Sequence, residues 1–155
     1  MTRTRPRRLK TLFGASNVVS AANDQDKTFG FKRAIELAKK AEAEKITGLF
    51  TADLLQIDPA GLAGTTGTQD PVIALAALAH ATSHIGLIAT VSTTFLHPYN
   101  LARQIGTLDH LSGGRTGWNA VTSSVGEENF GGDLPSPEER YEKAAEFIEI
   151  VNALY

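Results

Sequence analysis

Residues 108–123, LDHLSGGRTGWNAVTS, constrain the fold of this chain more than any other stretch, because a helix end, a chain reversal and a strand follow one another within them. Leu108 to Leu111 close a helical pattern. Ser112, Gly113 and Gly114 supply the left-handed reversal that glycine adopts without a Cβ penalty, and residues 115–121 read as a strand. The strand finishes among Asn119, Thr122 and Ser123, so hydrogen-bonding side chains collect at its carboxyl end.

The same alternation runs through the rest of the chain. Residues 9–15 alternate weakly and predict a first strand, followed by a polar loop reaching Asp24 and Asp26. Residues 29–45 predict an amphipathic helix: Phe31, Ala34, Ile35, Ala38 and Ala41 recur at helical spacing, and Lys32, Arg33, Glu36, Lys39, Lys40 and Glu42 fill the other face. Residues 46–52 are short, apolar and β-branched, as expected of a buried parallel strand, and Asp53 follows. A Gly- and Thr-rich connection, 54–69, leads to Asp70 and Pro71, an N-cap and first-turn pair opening an Ala-rich helix to about Thr82. A further strand is predicted over 85–91 and a helix from Pro98 to about Leu111. Ser136, Pro137 and Glu139 form a capping box for a last helix, with Tyr141, Ala144, Ile148, Val151 and Tyr155 on or near one face. Strands alternating with helices imply an α/β fold with a parallel sheet and right-handed crossovers.

At 155 residues the chain suits one domain. A complete β/α barrel needs about 250 residues, so a barrel of which this chain is part is represented here by about four β/α units, a half-barrel. Residues 1–8, with Arg3, Arg5, Arg7 and Arg8, read as a disordered basic arm, and residues 9–155 as the folded part. A net charge of −2 offers no broad attraction to nucleic acid or an anionic membrane, and no aromatic residues interleave the basic arm. No apolar run serves as a signal-peptide core or membrane span, which makes a cytoplasmic location the default.

The absence of cysteine excludes disulfides and thiolate chemistry. His80 and His84 have the spacing of a helical zinc pair, but Ala81 stands where the accompanying glutamate would be, so no metal is assigned. No GxGxxG follows a strand, and a Rossmann-type nicotinamide site is not expected. What the scheme does gather, at the carboxyl ends of three successive strands, is Asp53, then Ser92, Thr93 and Thr94, then Asn119, Thr122 and Ser123. Such a rim suits a flavin ring and its ribityl chain as well as many other ligands. Each residue also has a structural explanation: Asp53 as a turn cap, Thr93 and Thr94 as β-branched strand residues, Asn119 as a packed neighbour of Trp118, Tyr141 as part of a helix stripe.

The 108–123 block, together with TVSTTFLHPYNLARQ at 90–104 and Glu139-Arg140-Tyr141, resembles the flavin-dependent monooxygenases of the bacterial-luciferase superfamily, in the nitrilotriacetate and dibenzothiophene-sulfone branch. The resemblance extends from about Lys10 to Tyr155. It implies a TIM (β/α)8-barrel fold, of which this chain is the amino-terminal part. It also implies a two-component system, in which a separate NAD(P)H:flavin reductase supplies reduced FMN and O2 is activated as a flavin C4a-hydroperoxide that oxidises a small organic substrate. The positions matching the family's FMN contacts are Asp53, Thr93 or Thr94, and Tyr141, with Asn119 and Thr122 as neighbours. Pro137 departs from the pattern, many members having a histidine there. His97 resembles a loop residue over the cleft that orients substrate or peroxide, and its alternative is to cap the helix starting at Pro98. His110 falls in the last turn of that helix, where the helix dipole favours a cation, and Asp109 and Arg115 read as a structural ion pair across the turn.

The alternative function is a non-catalytic half-barrel. With helices on one side only, the inward side chains of its strands would stay exposed, so self-association or pairing with a complementary half-barrel chain is expected in either case.

Overall fold

The computed structural model describes residues 10–14, 27–56 and 70–155, the side chains of 13 and 27–30 excepted. The basic arm at 1–8 and most of the 54–69 connection lie outside these residues. In chain order the elements are β1 (Leu12–Gly14), α1 (Lys27–Ala43), β2 (Gly48–Thr51), α2 (Pro71–Ala81), β3 (Gly86–Ser92), α3 (Pro98–Ser112), β4 (Thr116–Val121), a 3₁₀ turn (Glu127–Asn129) and α4 (Pro137–Leu154). The strands form one sheet in the order β1-β2-β3-β4, every pair parallel. This is the alternating α/β arrangement expected from the sequence. β2 is shorter than the 46–52 run predicting it, because its pairing with β3 covers only Gly48 to Thr51; the ends of the 9–15 run lie outside the described residues.

Local chemistry sets the helix boundaries. Asp70 caps α2 by accepting from the Ile73 N–H at 2.9 Å, and Pro71 fills the first turn, where no N–H donor is needed. At α4 the Ser136 and Glu139 side chains each bond the other's backbone N–H, at 3.3 and 2.9 Å. α3 ends where Gly113 and Gly114 turn left-handed, at φ +68° and +83°, and send their N–H groups back to His110 and Asp109.

The helices cover one face of the sheet. Leu49, Leu87, Ala89 and Val91 point into a core with Ala34 and Ala38 of α1, Leu75 and Leu78 of α2, Leu101, Ile105 and Leu108 of α3, and Phe147 and Val151 of α4. A fully buried leucine contributes about 1.5–3 kcal/mol, so this single cluster supplies most of the drive to fold. Trp118 joins it from β4 through a tilted contact with Phe147, ring centroids 6.1 Å apart.

By alternation the other face carries Leu12, Phe50, Ile88, Asn119 and Val121, and no described helix lies over it. Phe50, Ile88 and Val121 are half-buried rather than exposed, and Ile88 lies over Gly48 and Gly117; Leu12 is exposed. A Cβ on Gly48 would meet the end of the Leu12 side chain at 3.1 Å, so Leu12 would have to shift by a few tenths of an ångström, while Ile88 at 3.5 Å is in ordinary contact.

Two sequence expectations change. Arg115 does not pair with Asp109. Its guanidinium donates to the carbonyls of Ser112, Ala79, Thr82 and Ile85 and to the Thr82 hydroxyl, at 2.7–3.1 Å, because the end of α2 presents unpaired carbonyls directly behind it. Asp109 instead accepts from the Thr116 N–H. Nor does Tyr141 belong to the buried stripe of α4. Residues 137–143 project past the core with only Arg140 half-buried, so the stripe begins at Ala144 and Tyr141 is 69% exposed.

Candidate functional site

The carboxyl ends of β2, β3 and β4 form one rim, as parallel pairing requires. Asp53 stands two residues past β2 on irregular backbone and is half-buried. Burial raises its pKa from 3.8 to about 6, helped by the negative charge of Asp70 and opposed by a hydrogen bond from the Leu54 N–H. The carboxyl group therefore titrates close to neutrality and can either donate or accept a hydrogen bond.

Ser92, Thr93 and Thr94 continue from β3 and are all buried. The Thr93 hydroxyl donates to the Val121 carbonyl at 3.1 Å and the Thr94 hydroxyl to the Thr122 carbonyl at 2.5 Å, so both bolt the end of β3 to the end of β4. Their hydroxyl protons are committed to this task; their oxygens remain acceptors. The Ser123 hydroxyl donates to that of Ser92 at 2.8 Å, which in turn accepts from the Phe95 N–H. Asn119 lies on the open sheet face and reaches the Thr90 hydroxyl at 3.3 Å, and Thr122 is half-buried beside it. The structure thus brings Asp53, Thr93, Thr94 and Thr122 to one end of the sheet, with Asn119 inside β4 opposite Thr90, two residues before that strand finishes.

His97 and Tyr141 stand apart from that group. His97 is exposed and is the N-cap of α3, its Nδ1 accepting from the Tyr99 N–H at 3.3 Å. Tyr141 is on the outward side of the first turns of α4.

Sequence reasoning missed the cations of α4. Arg140 donates to the Ser123 carbonyl and Lys143 to the Thr94 carbonyl, the latter at 2.6 Å, so two positive charges face the rim. Ser123, at φ +46°, holds a left-handed conformation costly for a residue with a Cβ. The Nε of Arg140 and one carboxylate oxygen of Glu127 are buried with no partner among the described residues. Arg140 lay within the Glu-Arg-Tyr motif, but its partner is a carbonyl, which no side-chain pattern announces. Beside these groups, Phe95 and Phe130 stack with centroids 4.6 Å apart and planes 4° from parallel, bordering a pocket of about 290 Å³ that Asp133 and Lys143 also line. A second hollow, of about 350 Å³, lies between α2 and α3 and shares no residue with the rim. Among the described residues no cluster of three or more metal-ligating side chains occurs.

A polar rim at the carboxyl ends of parallel strands is where β/α barrels place their chemistry. Residues 11–155 match the luciferase-like monooxygenase family. The chain belongs to that family. It is 48% identical over 123 residues to N-acetyl-S-(2-succino)cysteine monooxygenase of Bacillus subtilis (strain 168), covering 77% of this chain and 28% of that protein. Dibenzothiophene-sulfone monooxygenase of Rhodococcus erythropolis (strain XP) is 36% identical over an alignment of 174 residues, covering 100% of this chain and 38% of the relative. Among solved structures, EDTA monooxygenase from Chelativorans sp. BNC1 superposes with a TM-score of 0.85 at 33% identity, over 95% of this chain and 38% of the other. The luciferase-like chain therefore spans well under half the length of these relatives, and its four β/α units form part of a TIM-barrel monooxygenase fold.

Proposed function

We propose that this chain supplies the amino-terminal half of the barrel of a two-component, FMN-dependent monooxygenase, acting with a separate NAD(P)H:flavin reductase in the cytoplasm on a small organic substrate. The observation that carries the reading is the half-buried Asp53, its pKa near 6, on one rim with Thr93, Thr94 and Asn119 in a luciferase-like chain. The residues fit a flavin. The open sheet face offers Phe50, Ile88 and Val121 as apolar walls, Asp53 can hydrogen-bond a ring nitrogen or carbonyl in either protonation state, and the threonine oxygens and Asn119 suit ribityl hydroxyls. When bound, reduced FMN supplies the electrons for oxygen activation. This chain's residues would hold the ring, keep water from it and present the rim to substrate. In this reading Tyr141 and His97, both exposed, act from the outer edge, on cofactor and substrate respectively.

FMN titration of the purified chain tests the reading. Asp53→Ala is expected to weaken binding by roughly 10- to 150-fold, the loss of one charge-assisted hydrogen bond. Unchanged affinity in both Asp53→Ala and Tyr141→Phe would remove these residues from the site. Added substrate should be oxidised only with reductase, NADH and O2 all present.

A second reading is favoured by the sheet itself. The face bearing Leu12, Phe50, Ile88 and Val121 has no described helix over it. We infer that this chain closes that face against a second copy when expressed by itself, or against a complementary half-barrel where one is present, whether or not it is catalytic. Light scattering at micromolar concentration should return at least twice the monomer mass; a stable monomer would refute this.

A further inference from the structure

We propose that Gly126 and Asn129 form a clamp on the Leu55 carbonyl that positions Asp53, making them positioning residues for the rim although neither touches the carboxylate. The inference rests on the assignment of Asp53 to the proposed cofactor site. β2 and β4 are separated by β3 and share no ladder hydrogen bonds, so the sheet does not fix the connection after β2 relative to the connection after β4. The clamp does. The Asn129 Nδ2 donates to the Leu55 carbonyl at 2.8 Å, across 74 residues of sequence. Gly126 is buried against the same group at φ +103°, and a Cβ placed on it would lie 2.5 Å from the Leu55 oxygen and 2.8 Å from its carbon. Only glycine satisfies both the dihedral angle and the approach.

The clamp is itself braced. The Asn129 N–H bonds the Gly126 carbonyl at 3.1 Å and the Phe130 N–H that of Glu127 at 3.0 Å, closing the 3₁₀ turn. Phe130 then stacks on Phe95, one residue past Thr94, so one turn grips the end of β2 and abuts the end of β3. Asp53 needs this support because residues 52–56 belong to no helix or strand, and a desolvated carboxyl group on irregular backbone relaxes toward water unless its surroundings are fixed.

The test uses Asn129→Ala, at an exposed position whose loss leaves the core intact, and Gly126→Ala. In the ligand-free chain the titration of the Asp53 carboxyl group is followed by NMR, with circular dichroism and a thermal melt recording the fold. In Asn129→Ala the midpoint should move from about 6 toward 3.8 as water reaches the carboxylate, with the circular dichroism spectrum unchanged. FMN affinity should fall about tenfold. An unmoved Asp53 midpoint in folded Asn129→Ala overturns the clamp, whatever Gly126→Ala does. A moved midpoint in a chain that binds no FMN, parent or variant, upholds the clamp and instead removes the cofactor assignment of Asp53.

Discussion

The two ends of the sheet are built on opposite terms. Where the strands begin, charged side chains are saturated with backbone partners. Arg115 binds the end of α2, the approach to β3 and the end of α3 through four carbonyls and a hydroxyl. Glu42, at the end of α1, takes the N–H groups of Ser83, His84 and Ile85 on a single oxygen at 2.6–3.0 Å. Where the strands finish, Asp53 is desolvated, Ser123 is left-handed, and the Arg140 Nε and a Glu127 oxygen lack partners among the described residues. One end secures the helices to the sheet. The other keeps polar capacity available at a cost in stability, as expected where a ligand is to be held.

The comparison breaks most visibly at Arg115. Replacing it with alanine strands the carbonyls of Ala79, Thr82 and Ile85, which should cost about 3 kcal/mol and lower Tm by roughly 6–12 °C. Flavin affinity of the chain that remains folded should be unchanged. A Tm shift under about 2 °C would show that water replaces the guanidinium freely.

At the opposite end the sign reverses. Asp53 has a folded pKa of about 6 against 3.8 for the free group, so its ionisation destabilises the fold. The penalty is absent below pH 3.8, grows as pH rises toward 6 and is complete above it. Asp53→Asn keeps an acceptor for the Leu54 N–H and removes the charge. At pH 7 it should stabilise by about 1–2 kcal/mol, after discounting for the solvent-exposed part of the group, and at pH 3.5 by nothing. Thermal melts at the two pH values separate the outcomes, and equal effects at both would contradict the raised pKa.

Glu42→Gln is a milder probe of the strand-start end. Burial alone would raise the Glu42 pKa, but the backbone donors of His84, Ile85 and Ser83 outweigh it and, with the charge of His84, hold the value below 4.5. Its contribution is therefore present above pH 4.5 and lost as pH falls through the depressed folded value. Glutamine retains the acceptor without the charge, so a loss of about 0.5–1 kcal/mol at pH 7, vanishing under acid, is expected from urea melts. The smallest expected effect is at His97, which is exposed. His97→Ser preserves an N-cap acceptor for α3 and should change stability by less than about 0.5 kcal/mol. Substrate turnover in the reconstituted system then reports whether the imidazole has a chemical role, and full turnover would leave His97 a cap and nothing more.

Much of the architecture is legible in the sequence. The Asp70-Pro71 start, the Ser136–Glu139 capping box and the Gly113-Gly114 stop are settled by groups within four residues of one another, and local spacing writes such contacts directly into the sequence. The strand-end residues were legible for a related reason: in a parallel β/α sheet every strand points the same way, so knowing where each apolar run stops places Asp53, Thr93, Thr94 and Thr122 at one end, with Asn119 just inside it. The exposure of Tyr141 was not, because helical periodicity gives the spacing of a stripe and not the residue at which the helix first meets the sheet.

Tertiary structure alone decided the partners that cross long stretches of chain. Arg115 reaches carbonyls 30–36 residues away, Glu42 amides 41–43 away and Asn129 a carbonyl 74 away. In each case the partner is a backbone group, chemically alike at every residue except proline, so nothing in the sequence marks which one will be met. The sequence determined the order and ends of the four β/α units, and through them the rim. The crossovers between units decided which peptide groups the charged side chains meet, and so which end of the sheet is locked by them and which keeps polar groups uncommitted.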